Sequence, residues 1–166
     1  MNNPLLQHWN TPYQTITFNL IEVKHFKPAA EECIKSASAE ITGIIENPDP
    51  PSFENTIAAL DRVGEKLGTV SAILFNLNSA ETSKELQIVA QEVSPLLTRF
   101  SNDITLNDKL FSRIKNIYDA KNSSGLNAEQ LMLLERKFRS FMLGGAGLDE
   151  KSRLRFREIS EELSHL

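Results

Sequence analysis

The sequence is poor in the residue types with which much protein chemistry begins. It holds one cysteine and three histidines in 166 residues. The lone Cys33 forms no internal disulfide and shares no zinc with a second thiol, which points to a reducing compartment, the cytoplasm by default. No stretch of eighteen apolar residues occurs, and Pro4, Trp9 and Pro12 interrupt the start of the chain where a secretory signal needs an unbroken apolar run. Neither a membrane span nor an export signal is predicted. Positive charge is also in short supply: 18 basic against 22 acidic side chains leave a net charge of −4. Without a basic stripe to neutralise phosphates, nucleic acid and anionic membrane are excluded as partners.

What the chain does have is a moderate apolar content, 40% of its residues, arranged with helical period. A domain of this size buries roughly 70% of its unfolded surface, enough for a core without a disulfide or a structural metal. Residues 1–22 fit neither the helical nor the strand period and read as an extended arm. Its apolar side chains Leu5, Leu6, Trp9, Tyr13, Ile16 and Phe18 need another surface to cover them, so the arm is either docked or disordered.

Helical patterning starts near Val23. A first helix to Glu46 has Pro28 in its first turn and an inward face of Cys33, Ile34, Ala37, Ile41, Ile44 and Ile45. The run Asn47-Pro48-Asp49-Pro50-Pro51 stops it. Ser52 is the expected N-cap of a second helix whose apolar residues fall at heptad spacing: Phe53, Leu60, Leu67 and Leu74, with Val63, Val70 and Leu77 between. This predicts one long rod of about 37 Å at 1.5 Å per residue, with Gly64 and Gly68 permitting a close helix contact. A third helix spans residues 83–103 and should bend at Pro95. Asn107, Asn127 and Asp149 cap a fourth, fifth and sixth helix, and Gly144-Gly145-Ala146-Gly147 breaks the fifth from the sixth. The predicted fold is therefore all-α, an antiparallel bundle of about six helices preceded by an arm, with domain bounds 1–22 and 23–166. The helical pattern runs to Leu166 without a C-cap, which reads as a cut through a longer chain.

Reactive constellations do not emerge from the spacing. A zinc peptidase needs two imidazoles one helical turn apart with a glutamate aimed at the bound water. His8, His25 and His165 lie far apart, and each reads as a surface or packing residue. Cys33 sits on an apolar helix face and reads as an inert buried thiol. The glycine cluster 144–147 follows a helix and lacks the lysine and hydroxyl of a phosphate loop. Adjacent carboxylates such as Glu31 and Glu32, or Glu161 and Glu162, diverge on a helix. No catalytic, cofactor-binding or metal residue is assigned.

Several ordered landmarks carry a resemblance. They are Asn3-Pro4-Leu5-Leu6; Lys24-His25-Phe26-Lys27-Pro28-Ala29; the block from Asn47 through Pro51-Ser52-Phe53-Glu54-Asn55 to Thr56; Phe75-Asn76-Leu77; and Gly145-Ala146-Gly147-Leu148. Along its whole length the chain resembles the N-terminal part of the thimet-type zinc metallopeptidases, in the branch of the oligopeptidases A and the peptidyl-dipeptidases. The resemblance implies an almost wholly helical parent enzyme, several times longer, that cuts short peptides in a channel between two halves. Its zinc, held by a His-Glu-x-x-His helix and a later glutamate, would lie outside this chain, which holds no zinc itself and is inactive alone. The implied partners are the catalytic C-terminal domain of the same protein and short peptide substrates of the parent. The role implied for these residues is a wall of the substrate channel. A stand-alone helical adaptor that binds peptides or partner helices is the alternative.

Overall fold

In the computed structural model, residues 3–164 are described. Every regular element among them is helical, which agrees with the all-α expectation. The α-helices are α1 (Phe26–Ile45), α2 (Ala59–Arg62), α3 (Glu65–Ala80), α4 (Lys84–Thr105), α5 (Asp108–Asp119), α6 (Ala128–Leu143) and α7 (Glu150–Ser164). The chain divides into two compact units. One comprises Met1–Ala37 and Gly64–Leu97, the other Ser38–Val63 and Thr98–Leu166, so that α1 and α4 each contribute to both. His165 and Leu166, on which the reading of the chain end and of one histidine rests, lie outside the described residues.

In the first unit the buried side chains come from Phe26, Ala29, Ala30, Cys33 and Ala37 of α1, from Leu67, Val70, Ile73 and Leu74 of α3, and from Leu86, Ala90 and Val93 of α4. Small residues dominate the α1 stripe, which suits close approach of neighbouring backbone. Lys27 of α1 pairs with Glu92 of α4 at 3.0 Å. The arm is a string of 3-10 turns at Pro4–Leu6, Pro12–Gln14, Phe18–Leu20 and Val23–His25. Its beginning is docked: Leu5 is fully buried, Asn3 Nδ2 donates to the His25 carbonyl at 2.8 Å, and Lys66 Nζ donates to the Leu6 carbonyl. Its middle is not covered, since Tyr13 is 99% exposed.

The core of the second unit gathers Ile41 and Ile44 from α1, Ile57 and Leu60, then Leu110, Ile114 and Ile117 from α5, Leu134 and Phe141 from α6, and Ala146. The α5 and α6 members recur at intervals of three, four and seven, the stripe that a 3.6-residue period buries. Each large side chain removed from water here contributes roughly 1.5–3 kcal/mol as an upper bound.

The long rod expected over residues 53–77 is not continuous. A π-helical turn, Phe53–Ala58, leads into the single turn of α2. Val63 then extends (ψ 131°) and Gly64 turns left-handed (φ 71°) before α3 begins. Gly64 is thus a breaker instead of a contact glycine; a side chain there would meet Ala37 Cβ at an ordinary 3.6 Å, and the space around Gly68 is open. The heptad residues are nonetheless apolar for a reason: Leu60 serves the core of the second unit, while Leu67, Val70 and Leu74 are buried in the first. Helix α4 passes through Pro95 without ending.

Candidate functional site

Two loops that hold sequence landmarks are each gripped by one arginine. In the first loop, three prolines in positions 48–51 restrict the backbone, and Asn47 Oδ1 accepts from the Asp49 amide at 2.9 Å. Ser52 and Asn55 form a reciprocal capping box at the start of the π-helical turn. Asn55 Nδ2 also donates to the Pro50 carbonyl at 2.9 Å. Arg113, from the middle of α5, spans this loop. Its Nη1 donates to the Asn47 carbonyl (3.0 Å), its Nη2 to the Asp49 carbonyl (3.3 Å) and to Asn55 Oδ1 (3.2 Å), and its Nε to Thr56 Oγ1 (3.3 Å). Thr56 is fully buried. The clamped loop forms one side of two clefts. One, of about 340 Å³, is closed by Asn116, Ile117 and Gln130; the other, of about 390 Å³, by Glu40, Ile44 and Arg62.

The second loop is the glycine segment between α6 and α7. Gly145 adopts φ 94°, a conformation that favours glycine, and its α-carbon faces Leu106 so closely that a Cβ would lie 3.1 Å from that side chain. Arg153 of α7 folds back to bind the loop, donating from Nε to the Leu148 carbonyl at 2.8 Å and from Nη2 to the Ala146 carbonyl at 3.2 Å. The same guanidinium pairs with Asp108 at 2.5 Å. Hydrogen bonding from Arg153 holds the Asp108 carboxyl below its ordinary value.

Between these loops, α5 and α6 share a ladder of rings. Tyr118 stacks on Phe138 with centroids 3.9 Å apart and planes 7° from parallel. Phe111 lies 5.8 Å from Phe138 and 6.4 Å from Phe141. Phe141 is buried, so the ladder runs from the core outward to the half-buried Tyr118. Lys121 Nζ sits 4.1 Å above the Tyr118 ring and bonds Glu135 at 2.8 Å. The Glu135 hydrogen bond, with Tyr118 second, raises the Lys121 ammonium above its ordinary value.

His8, His25 and Cys33 are not grouped into a metal site. His8 is exposed, and His25 Nδ1 accepts the Glu22 amide at 3.0 Å in a capping arrangement. Cys33 is buried, and that burial pushes its thiol up from the ordinary value. Among the described residues no three His, Cys, Asp or Glu side chains are grouped so as to hold a metal ion, and no helix is long and apolar enough to cross a membrane. The donor set of the described residues does not fit a zinc site. Neither Arg113 nor Arg153 is marked by its local sequence, because their partners stand far away or belong to backbone carbonyls.

An all-helical scaffold with two arginine-clamped loops is the class that this fold defines. A model of the family described as "Neurolysin/Thimet oligopeptidase, N-terminal domain" matches residues 30–153. The chain belongs to this family. It is 35% identical over 164 residues to the dipeptidyl carboxypeptidase of Salmonella typhimurium and to that of Escherichia coli, in each case across 99% of the chain and 24% of the relative. It is 28% identical over 166 residues to oligopeptidase A of Escherichia coli, again across 24% of that protein. The chain therefore spans about a quarter of the length of the curated relatives it matches.

Proposed function

We propose that these residues are the N-terminal helical domain of a zinc metallopeptidase that hydrolyses short peptides as a peptidyl-dipeptidase or oligopeptidase, and that they form a wall of its substrate channel. The supporting observation is an alignment that takes in 99% of this chain and 24% of a dipeptidyl carboxypeptidase. The larger share of such a relative has no counterpart here, and the zinc chemistry is assigned to that share, outside this chain. In this reading residues 1–22 are an arm and residues 23–166 the helical body, and the partner of both is the catalytic domain of the same cytoplasmic protein. The clamped loops support the reading on physical grounds: a channel wall must keep its shape while peptides pass, and backbone fixed by guanidinium bonds does so without a metal or a disulfide.

The test is hydrolysis of short peptides by the full-length gene product with and without a chelator, beside the same assay on residues 1–166 alone. Cleavage by the long protein that chelation abolishes, with none by the short chain, is the expected result. Metal-independent turnover by the purified short chain overturns the reading.

A further inference from the structure

Beside the aromatic ladder lies an open groove of about 550 Å³, lined by residues of α6 and by Tyr118 of α5. This size falls within the range of sites that hold small ligands or peptide side chains. Its floor is the Tyr118–Phe138 stack, which Phe111 backs, itself stacked on the buried Phe141. Its rims are Met132, 66% exposed, and Met142, 45% exposed. Thioether side chains adapt to differently shaped apolar partners, and their exposure on a folded surface marks a contact surface.

The unpaired charge that lines the groove is positive. Arg136 and Arg139, three residues apart and so on one helix face, are both exposed, line the groove and form no ion pair or hydrogen bond among the described residues. By contrast, Arg113, Arg153, Arg155 and Arg157 are all engaged. The one acid on the rim, Glu135, is held by Lys121 at 2.8 Å. Two free guanidiniums over an apolar floor are complementary to a carboxylate beside a bulky apolar side chain.

We propose that this groove binds a short acidic peptide segment, with its apolar side chain seated on the Tyr118–Phe138 floor between the two methionines and its carboxylates held by Arg136 and Arg139. This rests on the reading of the domain as a channel wall and deepens it: the groove would bias the parent towards peptides with acidic residues.

The test uses residues 1–166 and two capped tetrapeptides, Asp-Phe-Glu-Leu and its lysine counterpart Lys-Phe-Lys-Leu. Binding is followed by the NMR shifts of the Met132 and Met142 methyl groups and by titration. The expected result is saturable movement of both methyl signals with the acidic peptide. Its affinity should weaken about tenfold in the Arg136→Glu/Arg139→Glu double variant, and the lysine peptide should bind that variant better than the original. Lys109→Glu, with its charge change elsewhere on the surface, should leave both affinities as they are. Met132→Ser, at an exposed position without a core role, provides a second variant and should weaken the acidic peptide as well. Equal binding of both peptides, or an affinity for the acidic one that none of the groove variants changes, overturns the proposal. So does sedimentation showing that the groove is covered by a second copy and that the double variant releases it as a monomer. Chelator-sensitive hydrolysis by the long protein alongside a groove that binds nothing removes this inference and leaves the channel-wall reading standing.

Discussion

Arg113 Nε donates a hydrogen bond of 3.3 Å to the fully buried hydroxyl of Thr56, 57 residues earlier in the chain. The same guanidinium satisfies two loop carbonyls and the Asn55 amide oxygen. Arg113→Ala would leave these acceptors without their charged donor, so a loss on the order of 3 kcal/mol is expected in chemical denaturation. Arg113→Lys should recover only part of it, because an ammonium cannot reproduce the planar fork. Equal stability of all three proteins would show that solvent replaces the clamp.

Arg153 allows its two kinds of contact to be separated. The Asp108 side chain is 69% exposed, and an ion pair of that kind is worth about 0.2–1 kcal/mol, so Asp108→Asn should cost little. Arg153→Ala also strips the donor from the carbonyl of buried Ala146 and should cost more, about 1–3 kcal/mol. Because the Asp108 carboxyl is held below its ordinary value, its small contribution is present above the unfolded carboxylate range and fades as pH falls through the lowered folded value. The acid limb of the stability profile should therefore flatten slightly in Asp108→Asn, which thermal melts between neutral and acid pH would register.

The glycines of the interrupted rod should respond in opposite directions. Gly64 holds φ 71°, where an alanine is strained by about 1–2 kcal/mol, so Gly64→Ala lowers the melting temperature. Gly68 lies inside α3 with open space around its α-carbon, and Gly68→Ala should stabilise by up to about 1 kcal/mol. A stabilised Gly64→Ala protein would mean that residues 53–80 can after all form one rod.

Cys33 is buried, and its thiol is raised chiefly by that burial. A thiol-specific reagent should react slowly with the folded protein near neutral pH and rapidly after denaturant is added. The raised value also fixes a sign: this group's contribution to stability is whole below the unfolded thiol value and is lost as pH climbs through the folded one. Cys33→Ala should therefore show a shallower decline in stability at alkaline pH.

Much of the helical architecture could be read from local chemistry. The caps expected at Asn107, Asn127 and Asp149 accept the amides of Leu110, Gln130 and Ser152, since a side-chain oxygen reaches an amide three residues on whatever the rest of the fold does. The inward face of α1 was legible in the same way: Cys33, Ala37, Ile41 and Ile44 are all buried. The break at Val63–Gly64 was not, because a heptad pattern records that residues are apolar and regularly spaced, and two shorter helices serving separate cores satisfy it equally well. The arm was only half legible. Its apolar content called for cover, but which residues receive it depended on Asn3 and Lys66 finding carbonyls in the first unit.

By itself, the sequence determined the helical class, the positions of most helix ends and the family, since periodicity, caps and ordered landmarks are properties of neighbouring residues. Only the tertiary structure decided that Arg113 and Arg153 are clamps while Arg136 and Arg139 find no ion pair or hydrogen bond among the described residues. In the sequence all four look alike, as arginines on amphipathic helices, and what separates them is which carbonyls and carboxylates, up to 66 residues away, the folded backbone brings within hydrogen-bonding reach.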